Sequence, residues 1–180
     1  TTKATTTTKA TTTTTKATTT TWTFMDADVV KYSGCEDCHE AEFCEKAGNP
    51  GCGGTGTADA VTFPNVHEAV GCSAWPLLTI PRSWLRDIAD LQALGADPAK
   101  ETLKVMLQQG FREYRDQGYS GPVQQCIHLP HSVSVHWLHL HSFCDGASFD
   151  GMPGDHSLCR VMEDEGQADE IASEWSVPPG

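Results

Sequence analysis

Three groups of side chains in this sequence have types and spacings that support chemistry. Cys35-Glu36-Asp37-Cys38-His39 carries the C-x-x-C-H spacing at which two thiols add to haem vinyl groups and the following histidine binds iron. A haem also needs an apolar slot and a second axial ligand. The flanks here are glycine-rich and acidic, and Met106, Met152 or another histidine would have to supply that ligand. Cys44 and Cys52 follow closely, and such clustering favours structural disulfides over a c-type haem or a zinc knuckle of Cys35, Cys38, His39 and Cys44. The second group is His128, His131, His136, His139 and His141, with His156 downstream. On a strand, His139 and His141 point to one face, an arrangement that grips copper or zinc with two imidazoles. His136, His139 and His141 are therefore the candidate metal ligands, against a plainer reading in which the imidazoles hydrogen-bond to carboxylates. The third group is Asp145, Asp150 and Asp155, spaced by five among glycines. These could bind Ca²⁺ through carboxylates and loop carbonyls, but the spacing is not that of an EF-hand and a solvated acidic loop is expected. No nucleophile elbow and no glycine-rich phosphate loop is present, so no catalytic residue is assigned and no enzyme is expected.

The elements that position these groups are readable in outline. Ser83 can cap a helix over 84–94, with Trp84, Ile88 and Leu91 facing inward and Gly95 ending it. Asp97-Pro98 reads as an N-cap with proline at N1, opening a second helix toward Gln117 with Leu103, Met106, Leu107, Phe111 and Tyr114 as its apolar stripe. Gly110 weakens its middle, Gly118 stops it, and the short joint predicts a helical hairpin. Val133, Val135 and Trp137 alternate with Ser132, Ser134 and His136, which predicts a strand with one buried face. Residues 163–174 read as a short acidic surface helix before Pro178-Pro179. Trp84 and Trp137 are expected in the core, whereas an exposed Trp22 or Trp175 would serve as an interface anchor.

Composition bounds the function. At 180 residues and net charge −12, the chain has room for one domain and repels nucleic-acid phosphates. No run approaches the ~18 apolar residues of a membrane span. Eight cysteines are an even number, enough for four disulfides in an oxidising compartment, and Cys35, Cys38, Cys44, Cys52, Cys72, Cys126, Cys144 and Cys159 are all disulfide candidates. Residues 1–23 are a separate, low-complexity arm with three lysines and no acid, and residues 24–180 form the disulfide-stapled body. β-Branched threonine favours extended backbone, so some 21 residues would reach roughly 65 Å at ~3.1 Å per residue. The hydroxyls of Thr5, Thr6, Thr7, Thr8, Thr11, Thr12, Thr13, Thr14, Thr15, Thr18, Thr19, Thr20 and Thr21 are the expected O-glycosylation sites. No charged-plus-apolar leader opens the chain, so it reads as a mature product with its signal removed or lying outside it.

Two resemblances add to this reading. The arm resembles the Thr-rich, O-glycosylated stalks of mucin-like cell-surface proteins, which implies an extracellular setting. Leu129-Pro130-His131-Ser132-Val133-Ser134-Val135-His136-Trp137, followed by Asp150-Gly151-Met152-Pro153-Gly154 and Cys159, is similar to the first copper-binding segment of multicopper oxidases. That family has a strand ending His-Trp-His-Gly, then an Asp-Gly-x-Pro-Gly turn and Gln-Cys-Pro. By this likeness His136 matches the first copper ligand, Leu138 stands at the second ligand's place, and His139 falls one position late.

The expectation is an extracellular or cell-surface α+β protein: a small, loop-rich, disulfide-stapled body with a helical hairpin and a few strands, preceded by an extended Thr-rich arm. Its expected role is structural, as a subunit of a filament or coat whose arm packs on a neighbouring copy. The partners are then copies of itself and O-linked glycans, with no nucleic acid and no membrane span. No cofactor is required by that role, and Ca²⁺, copper or zinc are the ions the sequence could take. The alternatives are a small extracellular metalloprotein using His136, His139 and His141 or a haem on Cys35, Cys38 and His39, and a monomeric binding ectodomain on a mucin-like stalk.

Overall fold

A computed structural model of the chain describes Phe43, residues 55–149 and residues 151–178. The Thr-rich arm, Trp22, the C-x-x-C-H segment, Cys44, Cys52 and Asp150 lie outside the described residues. Six strands form one antiparallel sheet: β1 (Thr55–Gly56), β2 (Ala60–Pro64), β3 (Leu77–Pro81), β4 (Val123–His128), β5 (Leu140–Cys144) and β6 (Ser157–Met162), in the spatial order β1-β2-β3-β5-β4-β6. Among the described residues, three helices of five residues or more accompany it: α1 (Ile88–Gln92), α2 (Ala96–Asp116) and α3 (Ala168–Trp175). The fold is mixed α+β, as the sequence predicts.

The long helix α2 packs on the sheet with Leu103, Met106, Leu107, Phe111 and Tyr114 buried, the stripe expected from their spacing. The sheet face beneath it carries small polar side chains, and register pairs them. Thr62 faces Thr79, with their hydroxyls 2.8 Å apart, and Gln125 faces Ser142, its Nε2 donating to Ser142 Oγ at 3.2 Å and to the Leu107 carbonyl at 3.0 Å. Most buried polar atoms in proteins are bonded in this way. Gly110 stands over the same patch. A Cβ there would lie 2.6 Å from Ser142 Oγ and 3.0 Å from both Gln125 Nε2 and Thr79 Oγ1. The glycine that weakens the helix in isolation is what lets it approach the sheet.

The helix starts differ from the sequence prediction. α1 is capped by Asp87, whose Oδ1 accepts from the backbone of Ala89 at 2.9 Å and Asp90 at 3.1 Å, and not by Ser83. A carboxylate at this position offers the orphan N–H groups a stronger acceptor than a hydroxyl. Trp84 consequently lies outside the helix, half-buried, with its Nε1 donating to the His136 carbonyl at 2.9 Å. α2 begins at Ala96 behind Gly95, whose φ of 97° is the left-handed region glycine favours, so Asp97 and Pro98 fall inside the first turn. The C-terminal helix α3 is more than a surface helix. Ala168, Ile171, Ala172 and Trp175 are buried and it packs on α2, which removes Trp175 as an exposed anchor.

The largest departure concerns residues 132–137, where no strand forms. A 3₁₀ turn at Pro130–Ser132 leads into irregular chain that closes over the sheet face opposite α2. The alternation of Val133, Val135 and Trp137 reflects this anchoring, not a strand ladder. Trp137 is buried with Nε1 donating to the Pro81 carbonyl at 3.2 Å, and the next backbone N–H, of Leu138, donates to Leu85 at 2.7 Å.

Two disulfides staple the described residues, Cys72–Cys144 and Cys126–Cys159, the latter joining directly opposed positions of β4 and β6. They are compatible with an oxidising, extracellular compartment. No helix among the described residues is long and apolar enough to cross a membrane.

Candidate functional site

The face of the sheet opposite α2 gathers histidines. Antiparallel pairing of β4 with β5 sets Cys126 opposite His141 and Ile127 opposite Leu140, which brings His128 opposite His139. Side chains alternate along a strand, so His128, His139 and His141 share one face, with Leu78 and Phe63 beside them on β3 and β2. All three histidines are buried. Ring centroids lie 4.9 Å apart for His139–His141, 5.2 Å for His128–His141 and 6.1 Å for His128–His139.

Hydrogen bonds and ring contacts are described for His139 and His141. His139 Nδ1 lies 2.6 Å from the Trp137 carbonyl. A carbonyl only accepts, so Nδ1 carries a proton. Phe43 packs edge-on against His139 at 5.6 Å and against Phe63 at 5.3 Å, and Phe149 lies 5.3 Å from His141. His141 Nδ1 is 3.5 Å from Asn65 Nδ2, at the long limit of a hydrogen bond. His141 Nε2 is buried with no hydrogen-bond partner among the described residues. Burial, and then the neighbouring His139 and His128, push the pKa of His141 well below its ordinary value. Its imidazole is therefore neutral, the form that can donate a lone pair.

The three histidines open onto a cavity of about 100 Å³. Phe43, Phe63, Leu78, Val135 and Phe149 supply apolar walls, and Pro64, Val66, His67 and Ser134 form an exposed rim. Three imidazoles bound to one metal at N–metal distances of about 2 Å would have ring centroids about 5 Å apart, close to the spacing seen. Among the described residues, no three His, Cys, Asp or Glu side chains already stand set around a common ion position. Binding would require the rings to turn into the cavity beside them.

The sequence brings two of the three together. His139 and His141 come together as their alternation predicts. His136 does not join them: it lies in the irregular segment, half-buried, does not line the cavity, and its carbonyl serves Trp84. Its expected position required a continuous strand through 133–141, and β5 begins only at Leu140. His128 takes the third place. The signal for it was the buried run Val123–His128, which could have been read as a strand pairing with 140–144 and so setting 128 against 139. His131 and His156 form a separate exposed pair, Nε2 to Nδ1 3.0 Å. Asp145 and Asp155 sit on exposed turns. Met106 and Met152, considered as iron ligands, are buried in the apolar core.

No family model matches this chain, and no curated protein or solved structure does so either.

Proposed function

We propose that the head of this chain is an extracellular metal-binding domain that holds one divalent copper or zinc ion on His128, His139 and His141. The supporting observation is the convergence of three buried imidazoles on one sheet face beside a cavity, with His141 Nε2 unbonded among the described residues. A buried polar atom without a partner costs about 1–3 kcal/mol, and coordination removes that cost. Imidazole-only ligand sets suit copper and zinc, and a strongly acidic chain concentrates cations around itself. The disulfides fit the oxidising compartment in which a Thr-rich arm would carry O-glycans. The filament or coat role proposed for the arm rests on residues 1–23, outside the described residues, and is independent of this site.

Calorimetric titration of the chelator-stripped full chain with Zn²⁺ and Cu²⁺ tests the reading. One equivalent per chain is expected, with His128→Ala, His139→Ala and His141→Ala each lowering affinity by roughly a hundredfold or more. His136→Ala should leave it unchanged. Absence of a stoichiometric ion, or equal losses from His136→Ala and His139→Ala, would overturn the assignment.

A further inference from the structure

The sheet ends on one side at β6, and two observations fix where its backbone groups point. The Leu129 N–H donates to the His156 carbonyl at 2.8 Å, so by alternation Leu158, Arg160 and Met162 are the β6 residues bonded to β4. Cys126 and Cys159 then form a non-hydrogen-bonded pair, and their Cα atoms, 4.2 Å apart, have the close spacing of one. The N–H and C=O groups of Ser157, Cys159 and Val161 therefore point away from the sheet. Ser157 N–H donates to the Gly154 carbonyl at 3.1 Å, and the Cys159 carbonyl accepts from Arg160 Nη1 at 3.1 Å, which occupies one of its two lone pairs. The N–H groups of Cys159 and Val161 and the Val161 carbonyl have no hydrogen-bond partner among the described residues. Sheet edges are commonly blocked by lysine, proline or a bulge. β6 has neither residue, pairs one to one with β4 without a bulge, and holds its one charge, Arg160, against Glu174 of α3. Val161, on the same face as Cys159, is 38% exposed.

We infer that two copies of this chain pair β6 with β6, antiparallel, about a two-fold axis at Arg160. The edge is its own complement in that register. Cys159 stands opposite the partner subunit's Val161, and Val161 opposite the partner's Cys159. Each of these two pairs exchanges two N–H to C=O bonds, which uses all three unbonded groups. The Val161 side chain of each copy covers the other's Cys126–Cys159 disulfide. Arg160 meets its own twin, and the Glu174 carboxylate already bound to each guanidinium offsets the repulsion. An axis at Cys159 would instead set Val161 against Ser157, whose N–H already serves Gly154. The contact is isologous and closes as a dimer, unlike packing of the arm on a neighbour, and it is independent of the proposed metal site. One strand pair is a small interface, so the association is weak and reversible.

The test uses the full chain in about 0.15 M salt, which screens the repulsion between two chains of net charge −12. Small-angle X-ray scattering is expected to show monomer passing to dimer as the concentration rises to about 1 mM. Over the same range, residue-resolved hydrogen exchange should slow several-fold at the Cys159 and Val161 amides and stay constant at the Ser157 amide. Val161→Pro deletes an interface N–H that the β4 ladder does not use, and Val161→Lys charges the edge at an exposed position where the fold tolerates it. Each should weaken dimerisation roughly tenfold or more. A chain that stays monomeric at about 1 mM overturns the pairing. Association undiminished by both substitutions, or without protection of the two amides, overturns it as well and puts the contact elsewhere. Protection of those amides in a monomer overturns it too, and gives the edge to another segment of the same chain.

Discussion

The two faces of the sheet solve the same problem in different ways. Both bury polar side chains of β4 and β5. Under α2, Gln125 and Ser142 share the face with Ile127 and Leu140, and Gln125 Nε2 donates to Ser142 Oγ and to the Leu107 carbonyl beside the close contact at Gly110. On the opposite face, His128 and His141 alternate with those same residues but stand beside a cavity under irregular chain. Gln125 Oε1 on the first face and His141 Nε2 on the second are buried without a hydrogen bond. Gln125 does not line the cavity, so nothing from solvent can reach it there, whereas His141 does. The helix face is thus built for packing. The histidine face gives up packing and borders a cavity instead.

Substitutions on the two faces should therefore differ in sign. The largest effect is expected under the helix, where Leu107 is fully buried. Leu107→Ala removes a packed side chain and should destabilise the protein by about 3 kcal/mol, read as a lowered denaturant midpoint. On the other face His141→Phe replaces an unbonded imidazole with an apolar ring next to Phe149. That variant should stabilise the metal-free protein by about 1–2 kcal/mol while abolishing the stability gained on adding Zn²⁺. A destabilised His141→Phe protein would mean that the histidine face is an ordinary packed core, and the contrast between the faces would disappear.

How much of this contrast is visible in the sequence depends on the range of the interactions involved. The α2 stripe is local, set by side chains three and four residues apart, and Leu103 to Tyr114 fall where their spacing puts them. The pair His139 and His141 is also local, a two-residue alternation. The third histidine is not. His128 reaches the site because β4 and β5 pair, across an intervening segment whose own alternation imitates a strand. What stops Val133–Trp137 from being one is tertiary: Trp137 is tied to Pro81 and Leu138 to Leu85, more than fifty residues earlier. Gly110 shows the same limit. Local propensity marks it as a weak point, and only the packed sheet beneath reveals why a side chain there would collide.

Asn65 offers the finest adjustment of the histidine face. To bind a metal through Nε2, His141 must carry its proton on Nδ1, yet the atom facing Nδ1 is the donor Nδ2 of Asn65, at 3.5 Å. The amide cannot simply turn over, because its Oδ1 already accepts from the His67 backbone. Asn65→Asp resolves the conflict, since one carboxylate oxygen can keep the His67 contact while the other accepts from Nδ1. A carboxylate behind a ligating imidazole orients the ring and raises its basicity. Zn²⁺ affinity should consequently rise several-fold, at most about tenfold, measured by competition with a chromophoric chelator. The metal-free protein should in turn lose stability, read as a lowered denaturant midpoint, because residue 65 is buried and an ionised carboxylate there is desolvated until the metal-bound imidazole is present to pair with it. If affinity falls instead, His141 binds through Nδ1 or not at all, and its unbonded Nε2 is a cost of the fold with no ligand to relieve it.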